Sequence, residues 1–219
     1  MAEKDVRVAA VMTAPRHEIT WARTHIQKAL QPLGIPLNVS GGVFYGQCMQ
    51  TMLGNLLKEG ADYALTIDFD SVFTTADVKR LVSIVVQEKE IDALCGVQAK
   101  RGKGSVLASL SSETVVEWTG YPVRVNTAHF GLTVLDLRKL EQVPKPWFLT
   151  VPDTDGDYGD GRTDEDVYFW RVWGESGNSV FIDPGCKVGH LEEMVTTFDD
   201  QMKLVHVYPQ QWANEHYGN

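Results

Sequence analysis

The chain has 219 residues, 43% hydrophobic and 22% charged, enough to bury the core of one α/β domain and too long for a peptide-like module. Its 20 Lys and Arg against 29 Asp and Glu leave a formal charge of −9, a field that repels phosphate polymers and excludes a generic nucleic-acid coating protein. Cys48, Cys95 and Cys186 are odd in number and lack C-x-x-C spacing, which argues against a disulfide framework or zinc ribbon and for free thiols in a reducing cytoplasm.

The opening MAEKDVRVAAVM has acids where a signal peptide wants bases, and no stretch approaches the ~20 apolar residues of a membrane span. The expected setting is soluble and cytoplasmic. Val6–Met12 is a short β-branched apolar run that reads as a buried first strand. Glu18–Leu30 carries apolar residues at helical spacing and is stopped by Pro32. Pro36–Ser40 reads as a second strand closed by Gly41-Gly42, Gln47–Lys58 as a helix ending at Gly60, and Ala64–Ile67 as a third, buried strand. Thr74 or Thr75 caps a helix over Ala76–Gln87, and Ile91–Val97 is the next strand. This β-α-β-α-β-α-β order predicts a mainly parallel sheet flanked by helices.

Beyond residue 104 the texture changes. Val106–Leu110, Thr114–Trp118, Pro122–Val125 and Leu132–Leu135 read as small antiparallel additions to the sheet, and Pro144–Gly161 as a surface loop. Asp164–Glu175 is an aromatic-rich helix whose Trp170 and Trp173 are expected in the core, and Ser179–Ile182 is a strand. From Glu192 onward no periodicity is visible. The expected organisation is one domain over 1–190 with an extension, 191–219, packed on it.

Three constellations carry the chemistry. Asp68-Phe69-Asp70 follows an apolar strand directly, and in an open α/β sheet ligands bind just beyond strand carboxyl ends. Acids there suit a hard divalent cation shared with substrate phosphates, although Asp70 or Ser71 capping a turn is the bland reading. Alternate residues of a strand point to opposite sides, so a turn is needed before both carboxylates serve one ligand. Asp164-Glu165-Asp166 opens the aromatic helix; helix capping explains one of these acids well and three poorly. Gly189-His190 comes third, and a neutral imidazole suits manganese-like cations that also take carboxylates.

In this order the segments Gly60–Asp70, Asp164–Trp170, Val180–Pro184 and Gly189-His190 resemble the GT-A fold glycosyltransferases, above all the family-2-like transferases of bacteria and phages. The resemblance runs from about residue 6 to 190. It implies a metal-dependent transferase that moves a sugar from a nucleotide-diphosphate sugar, a UDP-sugar foremost, to an acceptor hydroxyl. By resemblance, Asp68 and Asp70 bind Mn2+ or Mg2+ and the donor diphosphate, His190 completes the metal site, Asp166 is the catalytic base and Glu165 orients the acceptor or caps. Thr13, Pro15 and Arg16 loosely fit the family's base-binding loop after the first strand, and His129-Phe130-Gly131 fits its Gly-containing strand. The Q-x-x-R-W motif of processive synthases is absent.

Lys100 and Arg101, in the one basic cluster, are candidate contacts to the donor diphosphate, with a solvated turn as the alternative. Asp153-x-Asp155-x-Asp157 hints at a calcium loop, but Tyr158 stands where the invariant Gly belongs and the twelfth position is Asp164 rather than Glu. A lid over the site fits this segment better. The rival functions are a nucleotidyltransferase, which lacks its Gly-rich loop here, and a non-catalytic nucleotide-sugar-binding domain. The acceptor is left open among a modified DNA base, a glycan and a small molecule.

Overall fold

The computed structural model describes residues 6–14, 18–100, 105–110 and 120–217. Expectations at Pro15, Arg16, Arg101 and Thr114–Trp118 lie outside them.

Strands β1 (Val8–Ala14), β2 (Leu37–Gly41) and β3 (Tyr63–Asp68) alternate with helices α1 (Thr20–Leu30) and α2 (Tyr45–Lys58). A two-residue strand β4 (Ser71–Val72) leads into α3 (Thr75–Gln87) and β5 (Ala93–Gln98). Thr74 is the cap of α3: its hydroxyl accepts from Asp77 N–H while the Asp77 carboxylate accepts from Thr74 N–H, a reciprocal capping box. There follow β6 (Ala108–Ser109), β7 (Val123–Arg124), β8 (Thr127–Ala128), β9 (Leu132–Asp136), a single turn α4 (Leu137–Leu140), α5 (Glu165–Glu175) and β10 (Val180–His190). The described chain closes with β11 (Val195–Phe198), β12 (Leu204–Val207) and α6 (Pro209–Tyr217).

The main sheet runs β2-β1-β3-β9-β5-β10-β4, with β7 also on β10. β1 pairs in parallel with β2 and β3, and β5 with β10. This is a mixed α/β architecture with helices on both faces, of GT-A type. The apolar spacing of α2 and α5 buries one face of the sheet and that of α1 and α3 the other, giving two apolar clusters. Trp170 and Trp173 are core residues, and each buried indole N–H donates to a backbone carbonyl, of Ala128 and Ser179 respectively.

Two features correct the reading of the sequence. β9 is not a peripheral addition: it lies between β3 and β5, antiparallel to both. All five of its residues are buried, which explains why L-T-V-L-D shows no half-exposed alternation. Its placement sets Gly131 beside the end of β3, where Asp68 N–H donates to the Gly131 carbonyl at 3.4 Å. β10, expected to stop near Ile182, continues for 11 residues. A register shift between Asp183 and Lys187 absorbs Pro184, Gly185 and Cys186 as a bulge, and the Asp183 carboxylate pins it by gripping the Arg80 guanidinium at 2.5 and 2.9 Å. That continuation delivers Gly189-His190 to the site.

The segment after Leu191 is an antiparallel hairpin and a helix, with alternating half-exposed positions on both strands. Two four-residue strands are too short to show a period to a sequence scan. No helix among the described residues is long and apolar enough to cross a membrane.

Candidate functional site

β3 is buried from Tyr63 to Ile67 and emerges at Asp68. Phe69-Asp70 then forms the turn that lets both carboxylates face one edge, and β4 runs back antiparallel to the end of β10. Ser71 stands opposite His190 and Val72 opposite Gly189, while Leu191 N–H donates to the Asp70 carbonyl at 2.8 Å. Backbone pairing thus joins two motifs separated by about 120 residues in sequence. Asp70 is only 3% exposed. His190 Nε2 and Ser71 Oγ are buried with no hydrogen-bond partner among the described residues, a costly arrangement unless a ligand or water meets them.

The acid-rich start of α5 reaches the same edge across helix α2. The Asp164 carboxylate does not cap its own helix; it pairs with Arg162 at 2.7 Å. Glu165 caps a different helix: its Oε2 accepts from Gly46 N–H at 2.8 Å, supplying the negative charge that the first turn of α2 lacks in its own sequence. This contact engages one carboxylate oxygen of Glu165 with the start of α2. Gly46 permits the contact, since a Cβ there would lie 2.6 Å from Phe148 Cβ and 2.9 Å from Glu165 Oε1. Asp166 Oδ1 accepts from Val167 N–H at 2.8 Å. A helix dipole alone would hold the Asp166 carboxyl low, but burial outweighs it and pushes the pKa above the ordinary carboxylate value, with Asp164 adding to the rise.

Sequence reasoning missed Tyr45, the first residue of α2. Burial, then the negative charges of Asp68, Asp166 and Glu165 in that order, raise its phenol well above the usual value. The charges of both acid motifs act on Tyr45. It lines a cleft of about 310 Å³ with Thr13, Val43, Asp68, Phe69 and Asp70. Thr13 sits there because β1 pairs with β3 in the register Thr13 to Asp68. A second cleft, of about 610 Å³, shares Phe69 and Asp70 with the first and is walled by Ile19, Leu191, Glu192 and Tyr208.

An aromatic base fixes these spacings. Phe130 stacks on Trp170 at 5.1 Å and meets Phe169 edge-on at 5.0 Å, while Phe148 stacks on Phe169 at 4.9 Å and meets Tyr45 edge-on at 6.0 Å. Such pairs add about 0.5–1.5 kcal/mol each beyond their burial, and here they tie the acid-bearing helix to the segment beside Asp68. In that segment His129 Nδ1 accepts from Gly131 N–H at 2.9 Å, so Nε2 carries the proton and donates to the Gly96 carbonyl at 2.7 Å. Burial, reinforced by neighbouring His190, lowers the His129 pKa to about 4. Lys100 is exposed just past β5 and lines neither cleft. Asp153 organises the acidic loop as a closed turn, its Oδ1 accepting from the N–H groups of Asp155 and Asp157.

The donor set of Asp68, Asp70 and His190 has the chemistry for Mg2+ or Mn2+. Among the described residues, however, no three His, Cys, Asp or Glu side chains converge as a ready-made cage. Cations of this kind are commonly held by one or two carboxylates with substrate phosphates completing the shell. The buried, unpartnered His190 Nε2 beside the Asp70 turn fits such a shared site.

No family model matches the chain, and no curated protein does. Solved structures do. A197 from STIV is similar over 92% of this chain and 94% of its own, with a TM-score of 0.61 and 16% identity. A GalNAc-T7 structure with UDP, GalNAc and Mn2+ is similar over 86% of this chain, with a TM-score of 0.52 and 10% identity. This chain spans 44% of the GalNAc-T7 chain. At these identities the likeness is one of fold.

Proposed function

We propose that the chain is a metal-dependent, family-2-like glycosyltransferase that moves a sugar from a nucleotide-diphosphate sugar, UDP-sugar first, to an acceptor hydroxyl. The observation that carries this reading is the β4–β10 pairing, which sets His190 against the Asp68-Phe69-Asp70 turn, at the edge where Tyr45 senses Asp166. The UDP and Mn2+ of the GalNAc-T7 structure accord with it. Residues 1–190 are the catalytic domain of this proposal, and 191–219 its extension.

The donor's nucleotide would lie against Thr13 and the following loop, Pro15 and Arg16. Asp68, Asp70 and His190 would hold the divalent cation, which when bound neutralises charge on the diphosphate. Asp166 accepts the proton of the attacking hydroxyl as that oxygen bonds to the anomeric carbon and the bond from carbon to diphosphate breaks. Direct attack inverts the anomeric configuration. Burial of Asp166 raises its proton affinity, which suits a base near neutral pH.

Incubating the protein with nucleotide sugars and Mn2+, with and without candidate acceptor hydroxyls, tests the proposal. Nucleoside diphosphate release that EDTA abolishes is expected. Pyrophosphate release would instead identify a nucleotidyltransferase, and binding without turnover a non-catalytic domain.

A further inference from the structure

The described lining of the smaller cleft offers a negatively charged donor little direct purchase. Asp68 and Asp70 repel phosphate oxygens and can meet them only through a cation, while Ala14, Gly42, Val43 and Phe69 bring no side-chain donor. Two hydroxyls remain, on Thr13 and Tyr45. Thr13 is nine-tenths buried on β1, and Tyr45 is partly buried at the start of α2. The Tyr45 ring is clamped edge-on by Phe148 at 6.0 Å and tilted against Phe130 at 6.4 Å. The next residue, Gly46, is held by Glu165. A tyrosine fixed in this way presents its hydroxyl at little conformational cost.

We propose that Tyr45 is a donor-binding residue whose O–H donates a hydrogen bond to a diphosphate oxygen of the nucleotide sugar; this rests on the glycosyltransferase reading above. The un-ionised phenol, the ordinary state of a tyrosine near neutral pH, is the form that donates.

Tyr45→Phe removes the hydroxyl and keeps the ring that packs on Phe130 and Phe148. Calorimetric titration of UDP with Mn2+ present should show binding about five- to ten-fold weaker in the variant, the size expected for one lost hydrogen bond. Uridine, which has no phosphate, should bind both proteins equally, and the thermal midpoint should stay within a few degrees. Equal UDP affinity for the two proteins would overturn the assignment and leave the glycosyltransferase reading standing. Equal weakening of UDP and uridine, with a lowered midpoint, would also overturn it by making Tyr45 a packing residue. A wild-type protein that binds neither UDP nor any UDP-sugar would overturn both.

Discussion

The two edges of the main sheet invite opposite conclusions. At the amino end of β1, a cavity of about 690 Å³ opens between Arg7, Gly34, Asn38, Lys79, Val82 and Ser83. At the carboxyl end of β3, the cleft is less than half that volume yet is bordered by Asp68, Asp70 and Tyr45, with His190 paired alongside. The larger cavity has no gathered acids or imidazoles; its Arg7 guanidinium donates to the Gly60 carbonyl, while the Arg7 backbone N–H donates to the Asp62 carboxylate. Volume and chemistry therefore point to different edges. Strand direction sides with the chemistry, because successive βα connections leave their loops and helix starts at the carboxyl ends.

The largest effect that would break this contrast belongs to the proposed base, Asp166. Asp166→Asn should lower turnover by about 10²-fold or more while donor and metal binding stay nearly intact, as steady-state kinetics beside calorimetry would show. Wild-type turnover in this variant would remove the acid-rich edge from the chemistry.

The pH profile sharpens the assignment. Asp166 must be ionised to accept a proton, and its pKa is raised by burial. Activity should therefore fall on the acid side through a value above the ordinary carboxylate range. Stability carries a separate signature from His129. Its pKa is lowered from 6.5 to about 4, so the unfolded chain binds the extra proton first and stability falls as pH drops from about 6.5 to about 4. Urea denaturation across that window should show the loss in the wild type and a shallower one in His129→Gln.

Gly46→Ala comes next in size. The added methyl would meet Phe148 and Glu165 at 2.6–2.9 Å, an overpacking expected to cost about 1–3 kcal/mol, measured by denaturant unfolding. At the opposite edge Lys79→Ala should leave turnover and metal-dependent binding unchanged. A loss of activity there would mean that the large cavity takes part after all.

How much was legible in the sequence depended on the range of the interactions. The alternation of short apolar runs with amphipathic segments announced the β-α order as far as Gln98, because each element's period is written in its own residues. The central position of β9 was not announced. Leu132–Asp136 reads the same whether it joins an edge or the middle, and only long-range pairing with β3 and β5 decides. Asp68, Asp70, Glu165, Asp166 and His190 were all singled out as residues. The partner of Glu165 was not: it finds Gly46, 119 residues away, and Glu-Asp at a helix start reads as a cap for its own helix. Tyr45 gave no local signal, since Phe44-Tyr45 before a helix reads as ordinary packing. The run of Val43, Phe44 and Tyr45 after Gly41-Gly42, apolar residues where a loop was expected, was the one available hint.

The turn at Asp68-Phe69-Asp70, with His190 beside it, is the proposed site for a nucleoside diphosphate together with a divalent cation. Calorimetric titration of UDP into the wild type and into Asp70→Asn, each with Mn2+ and again with EDTA, tests it most directly. The account predicts binding in the wild type that requires Mn2+, and its loss in Asp70→Asn at an unchanged thermal midpoint. UDP binding of equal strength in Asp70→Asn, or wild-type binding indifferent to EDTA, would contradict it.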